Sequence, residues 1–458
     1  MPVPHSEFDF VCDCQSPSRS ACKWLRHYEE HQGKNYCVLH FPGMKKSAVF
    51  AEAVQRKLMR QDFDFRGAWF PAETAFFKSA IFSGRADFRE AIFTSKADFT
   101  SALFQSDADF TSAIFRADAD FSNATFRGQV DFISTYFQAG AVFKDDTFDM
   151  NADFSNATFD DYVDFSEAIF KGNAGFRQAT FIGNTNFERS VLKGYVEFAG
   201  TKRFAVEDKR PGFNDKASLS LESAKIDNPD QISFHTLTMR PSWFVNVDCS
   251  RFDLTNVEWG RYKLRDLRFK QVESHPWRTI EEELSSLSLN RLSVADRHRM
   301  FAITCSRLAD NAEENRRFEE ASRFRHMAMD TRRRLEWPGL TVWKLSWWYW
   351  LASGYGERAL QALGILAAVW VLFALLYTQG WMKWEPKPAN STIVHPAEVF
   401  GWEKFKTELT YSAAVITLQR PEPKPASRAA QAAVLAETIL GPLQAAMLAL
   451  AIRRKFMR

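Results

Sequence analysis

From Phe77 to Phe198 the chain places a phenylalanine at alternating steps of five and six residues. The register runs Phe77, Phe82, Phe88, Phe93, Phe99, Phe104 and continues through Phe187, with one slip to Leu192. A small residue usually stands two positions before each anchor. The unit therefore reads A-D-F-x-x-A-x-F-x-x-x, as in Ala97-Asp98-Phe99 followed by Ala102-Leu103-Phe104. A helix does not account for this: eleven residues make about three helical turns, but the five–six split puts the two rings on opposite sides. A solenoid does. Sides of about five residues each point one large and one small apolar side chain inward, and turns stack at the strand spacing of about 4.8 Å.

This pattern resembles the pentapeptide-repeat family, whose fold is a right-handed quadrilateral β-helix with Phe or Leu at the central inward position and Ala two before it. The chain departs from that family's strict five-residue period by one inserted residue in every second unit. Four sides then take roughly 22 residues, giving the stretch about five and a half turns and a length of about 26 Å. Each inward phenylalanine is expected to stabilise the fold by about 1.5–3 kcal/mol through burial. These rings are core and form no cofactor box.

A net charge of +3 hides an asymmetry: residues 85–198 hold 18 acidic and 10 basic side chains, about −8, which leaves about +11 elsewhere. Some soluble pentapeptide-repeat proteins bind DNA gyrase as DNA mimics, so the resemblance admits a DNA-mimic alternative directed at a topoisomerase. The simpler reading is that outward aspartates solvate the rod and blunt its edges against aggregation. No nucleic-acid partner is expected.

Ahead of the repeats, Cys12-x-Cys14, Cys22 and Cys37-x2-His40 put four thiols and a histidine within thirty residues. Zinc takes four N or S ligands in a tetrahedron, and C-x2-H is a usable half-site, whereas C-x-C is tighter than the usual spacing. The candidate ligands are Cys12, Cys14, Cys22, Cys37 and His40, combined as Cys37, His40 and two of the other three. Unligated buried thiols are the alternative. A short segment with little core of its own, taken as residues 1–60, would use such a staple. Met1 to Phe8 carries neither a basic nor an apolar leader region, so this part is expected in a reducing cytoplasm.

Beyond the solenoid, assigned to 61–204, the register decays near Arg210-Pro211-Gly212 and recovers a five-like beat over Ile232 to Trp259. Residues 205–275 read as degenerate terminal coils and a cap, and 276–336 as an α-helical hairpin with Asn311 near its turn. Residues 337–358 form a Trp-rich interfacial segment, with tryptophans at 343, 347, 348 and 350. Residues 359–458 form a two-span membrane module. Ala359 to Tyr377 is a charge-free apolar run long enough to cross a bilayer, and Ala429 to Ile452 is a second, interrupted by Glu437 and Gly441-Pro442. Basic residues before the first run and after the second place both ends in the cytoplasm by the positive-inside rule.

Within the outer loop, Phe405 to Leu418 suits a re-entrant helix. Span, short helix, span resembles the two-helix pore module of potassium channels over roughly the last hundred residues. Where that family carries T-V-G-Y-G, this chain reads Thr417-Leu418-Gln419-Arg420-Pro421, without the glycines that let consecutive carbonyls line a filter. Ser353-Gly354-Tyr355-Gly356 lies before the first span and reads as a turn. Candidate residues of the module are Thr417, Gln419, Arg420, Glu437, Gly441 and Pro442. Glu437 is costly in lipid and is expected against the re-entrant helix or a neighbouring subunit. Gly441-Pro442 is expected to kink the span.

The order of these parts resembles bacterial membrane-anchored pentapeptide-repeat proteins of the inner membrane. No P-loop, nucleophile-elbow or H-E-x-x-H motif is present, and the chain reads as no enzyme. The leading expectation is a cytoplasmic recognition or assembly platform, oligomeric through its two spans, for a protein partner the sequence does not name. A gated, poorly selective pore or membrane-perturbing effector with the solenoid as sensor is the alternative.

Overall fold

The computed structural model describes residues 12–14, 21–22, 25–71, 75–200, 212–213, 217–259, 283–284, 293–335, 345–356, 358–379, 383–385, 401–422 and 424–456. The chain divides into two units, Met1–Asn311 and Ala312–Arg458.

In the first unit, short parallel strands between Trp69 and Thr255 stack into four sheets of seven, six, seven and eight strands. Turns repeat at 22 residues: Ile114 pairs with Ile92 on one side and Tyr136 on the other. The eight-stranded sheet marks a β-solenoid of about eight turns, more than the phenylalanine run alone implies. It starts earlier, because Trp69–Phe70 pairs with Ile92–Phe93. It also ends later: Gly212–Phe213 pairs with Thr180–Phe181, Ile232–His235 with Val196–Ala199, and Asp253–Thr255 with Ser233–His235. The expected break at Arg210-Pro211 lies outside the described residues, and the ladder resumes at Gly212.

The rings form columns. From Phe82 through Phe104, Phe126 and Phe148 to Phe170, centroids lie 4.5 to 5.1 Å apart with planes within 9° of parallel. Neighbouring columns meet edge-on, as Phe99 does Phe110 at 5.6 Å and 87°. Offset stacks and edge contacts are the favoured aromatic geometries, so the core gains beyond its area.

The alternation of five and six has a backbone cause. Every eleventh residue is left-handed, from Glu90 and Ser101 through Ser112 and Asn123 to Arg189. The N–H of Ala91 donates to the Phe88 carbonyl at 3.1 Å, which closes a type II turn with Glu90 at its left-handed position. The outward aspartates serve these turns. Asp98 Oδ1 accepts the N–H of Thr100 at 3.0 Å, Asp120 that of Ser122 at 3.1 Å and Asp153 that of Ser155 at 2.8 Å. Solvation alone therefore understates them: each carboxylate satisfies a turn amide two residues on, as Asx side chains do.

Both ends of the lumen are covered. Strands β1 (His27–His31) and β2 (Lys34–Cys37) form a hairpin around left-handed Gln32 and Gly33. Helix α1 (Ser47–Met59) follows, burying Phe50, Ala53 and Val54 on one face, with Phe50 edge-on to Phe70 at 5.2 Å. At the far end, α2 (Val294–Glu314) buries Phe301, Cys305 and Leu308. From α2, Arg307 donates to the Val247 carbonyl at 2.7 Å, and the Asn311 amide donates to the carbonyls of Cys249, Ser250 and Phe252 at 3.2, 2.9 and 2.7 Å. Asn311 thus lies inside a helix. The break falls at Asn315–Arg317, where Arg316 is left-handed.

The second unit holds α3 (Phe318–Leu335), α4 (Leu345–Ser353), α5 (Ala359–Tyr377), α6 (Trp402–Ile416) and α7 (Arg428–Phe456). Trp347, Trp348 and Trp350 lie on α4, while Trp343 is outside the described residues. The turn expected after Ser353 is present, with Gly354, Tyr355 and Gly356 all left-handed. Helices α5, α6 and α7 pack on one another, and α5 and α7 are long and apolar enough to cross a membrane. α7 runs unbroken through Pro442. A Cβ at Gly441 would come within 2.8 Å of the Ile416 side chain, so this glycine permits close approach of α6 to α7.

Candidate functional site

The hairpin, the tight turn that follows it and the segment before them bring four side chains together. The ligand atoms of Cys12, Cys22, Cys37 and His40 all lie within 4.8 Å of one another, and the group could hold a metal ion. His40 Nδ1 is 3.7, 3.2 and 3.1 Å from the sulfurs of Cys12, Cys22 and Cys37, and Cys22 and Cys37 are 3.8 Å apart. Cys14 stands outside this group, its sulfur 3.8 Å from that of Cys22.

His40 and Cys12 are each held by a backbone group. His40 Nε2 donates to the Arg66 carbonyl at 2.7 Å, which turns Nδ1 toward the sulfurs. The Cys37 N–H donates to the Cys12 sulfur at 3.3 Å. The Val38 and Leu39 carbonyls, between Cys37 and His40, accept the fully buried Lys46 ammonium at 2.6 and 2.8 Å. Burial pulls Lys46 down to about 7, against the opposing charges of Cys37 and Cys12. For His40, burial disfavours the imidazolium, but the hydrogen bonds to Cys12 and Cys37 outweigh it and lift the ring to about 10. A metal must displace that proton, so its affinity falls in acid. The centre is also joined to the solenoid's first turn: besides the Arg66 contact, the Trp69 N–H donates to the Leu39 carbonyl at 2.8 Å.

On the solenoid the acidic residues form ladders instead of a cleft. Asp87, Asp109, Asp131 and Asp153 hold one position in successive turns. Arg85 and Arg89 pair with Asp109 at 2.9 and 3.4 Å, and Arg66 and Arg89 with Asp87 at 3.1 and 2.6 Å. Farther along, burial and the charges of Asp109 and Asp153 push the Asp131 carboxyl up.

In the second unit, Glu437 is fully buried, and its two oxygens accept the hydroxyls of Tyr377 and Ser412. Tyr377 packs in one buried cluster with Phe373, Tyr411, Val415 and Ala433. Of the two settings expected for this carboxyl, the short helix α6 supplies one within a single chain. Thr417 lies at the end of α6, its hydroxyl on the Ala413 carbonyl at 2.9 Å, and Gln419 and Arg420 are exposed beyond it. Sequence reasoning missed Lys46, Arg66, Tyr377 and Ser412; only their fit around a known ligand or carboxyl marks them.

Residues 88–135 and 160–202 match the family model described as pentapeptide repeats (9 copies), so the solenoid is built of pentapeptide repeats. No curated protein and no solved structure matches the chain.

Proposed function

We propose that this chain is a non-enzymatic recognition or assembly platform for a cytoplasmic protein, anchored in a bacterial inner membrane by α5 and α7. The ladders carry the reading. Outward groups that repeat along a rod suit a long, regular partner surface, whereas catalysis needs unlike groups converging on one point. Anchoring is supported by exposure: 17 and 22 % of the two apolar windows are buried, and Leu360, Leu372 and Leu435 are 81, 63 and 64 % exposed. Such a surface suits lipid better than water. The basic flanks favour cytoplasmic termini.

Zinc is the metal that suits the Cys12, Cys22, Cys37 and His40 set. Zn–S of about 2.3 Å and Zn–N of about 2.0 Å in a tetrahedron give ligand separations of about 3.5–3.8 Å. The separations of 3.1 to 3.8 Å around Cys22, Cys37 and His40 are close to that. Three thiolates and a neutral histidine would leave the zinc site one negative charge, which favours the protonated form of Lys46, bound to the carbonyls between Cys37 and His40. The metal would act as a structural staple. Homo-oligomerisation belongs to the same reading, but Glu437 no longer argues for it, since one chain buries that carboxyl. The DNA-mimic alternative loses weight because the aspartates have a turn-closing role of their own.

A photo-crosslinking residue placed in turn at 131, 153, 125 and 147, on two sides of the rod, tests the platform in cells. A discrete protein adduct confined to one side is expected; no adduct at any position overturns the reading. Planar-bilayer recording separates the pore alternative: a current whose cation permeability rises in Arg420→Glu would replace the platform with a pore.

A further inference from the structure

Cys14 is the one cysteine of the N-terminal segment that the metal group leaves out, yet it is not remote. Its sulfur lies 3.8 Å from that of Cys22, in van der Waals contact. Access divides the four thiols into two pairs. Cys12 and Cys37 are buried, at 8 and 0 % exposure, while Cys14 and Cys22 are both half-buried. Cys249 and Cys305 are buried elsewhere in the first unit, so they do not compete. An oxidant from solvent can therefore reach a thiol that lies outside the metal group, and a half-buried sulfur in contact with it, that of Cys22, belongs to the group.

We propose that Cys14 is a redox trigger for the metal centre: peroxide couples it to Cys22 as a disulfide and so removes one of the four ligands. The proposal rests on the zinc reading above. In the first step the Cys14 thiolate attacks one oxygen of hydrogen peroxide; the O–O bond breaks, a sulfenic acid forms and hydroxide leaves. In the second, the Cys22 sulfur leaves the metal as thiolate and attacks the Cys14 sulfur. The S–S bond forms as the S–O bond breaks, and the departing hydroxide takes up a proton. The Cys14 thiol and the metal-bound Cys22 thiolate have together given up two electrons; the proton from Cys14 and one from solvent turn the two hydroxides into water, so one peroxide has become two waters. The sulfurs need only close from 3.8 Å to the bonded length of about 2.05 Å. The remaining donors, Cys12, Cys37 and His40, hold the ion more weakly, and it is released. Thiol reductants with added zinc reverse the change.

The test uses full-length, reduced protein in detergent, with zinc content measured before any oxidant is added. Hydrogen peroxide is then supplied, zinc release is followed with a chromogenic chelator, and disulfides are mapped by mass spectrometry of unreduced peptides. The expected result is a Cys14–Cys22 link that accumulates in step with zinc release. Cys14→Ser should keep its zinc and lose the fast phase of release, while Cys22→Ser should be zinc-poor from the start. Release from Cys14→Ser at the parental rate, or a parental link joining other cysteines, overturns the switch. Protein without zinc before oxidation overturns the metal reading itself, which the first measurement tells apart from failure of the switch.

Discussion

Asp146 occupies the inward slot that Ala102, Ala124 and Ala168 fill in neighbouring turns. It is fully buried; Oδ1 accepts the Ala124 N–H at 2.9 Å, and Oδ2 meets no partner. Burial holds this carboxyl well above the usual range. The folded state therefore keeps a proton that the unfolded chain releases, so the carboxyl's contribution is fully present in acid and is lost as pH rises through its raised value. Asp146→Ala restores the repeat, and Ala124 keeps its bond to the Phe121 carbonyl at 2.8 Å. The variant is expected to be more stable near neutral pH by about 1–3 kcal/mol, the cost of burying an unsatisfied polar oxygen. The gain should shrink toward pH 4. Thermal melts at both values check this, and a lower melting temperature for the variant at neutral pH would show that the lumen needs the acid. A reading by charge alone counts Asp146 among the surface aspartates; its place two before Phe148, the slot that small residues fill, is what separates it from Asp145.

At the scale of elements, what was legible is what repeats. The phenylalanine period implied stacked sides before any coordinate, since only a solenoid turns both anchors inward. The reason for the aspartates was not, because an Asx-type turn looks like an ordinary polar position in sequence. Caps do not repeat, and neither α1 nor the hold of α2 on the last turn was visible. Asn311 shows why: as a residue it suits a loop, and only its reach to three carbonyls makes it a clamp. Asn311→Ala would leave buried carbonyls without donors, at about 1–3 kcal/mol. Amide exchange over residues 244–259 should quicken, while turns before residue 200 keep their protection. Unchanged exchange over 244–259 would mean that apolar packing of α2 suffices.

Across the whole molecule the same physics sorts what the sequence could say about function. Spacing proposed five candidate ligands for one metal; the structure groups Cys12, and not Cys14, with Cys22, Cys37 and His40, a distinction that residues two apart cannot express in sequence. Membrane length was legible from apolar runs, whereas the setting of Glu437 depends on Tyr377 and Ser412, 60 and 25 residues away. A solenoid is nearly one-dimensional, each turn resting on its neighbours, so damage at one end should stay there. The group of Cys12, Cys22, Cys37 and His40, proposed above to hold zinc, sits at such an end, tied to the first turn through the Arg66 carbonyl and the Trp69 N–H. Zinc binding is folding free energy for the segment that supplies the ligands. Stripping the metal from the full chain with a strong chelator is therefore expected to raise amide exchange across β1, β2 and residues 63–70, and to a lesser degree at 86–93. The central turns from 108 to 170 rest on their own strand ladders and phenylalanine columns and should exchange as before. Restoring zinc should restore protection at the end. Loss of protection through all turns at once would show that the rod unfolds as one cooperative body, and unchanged exchange at residues 63–70 would show that the first turn stands without the metal.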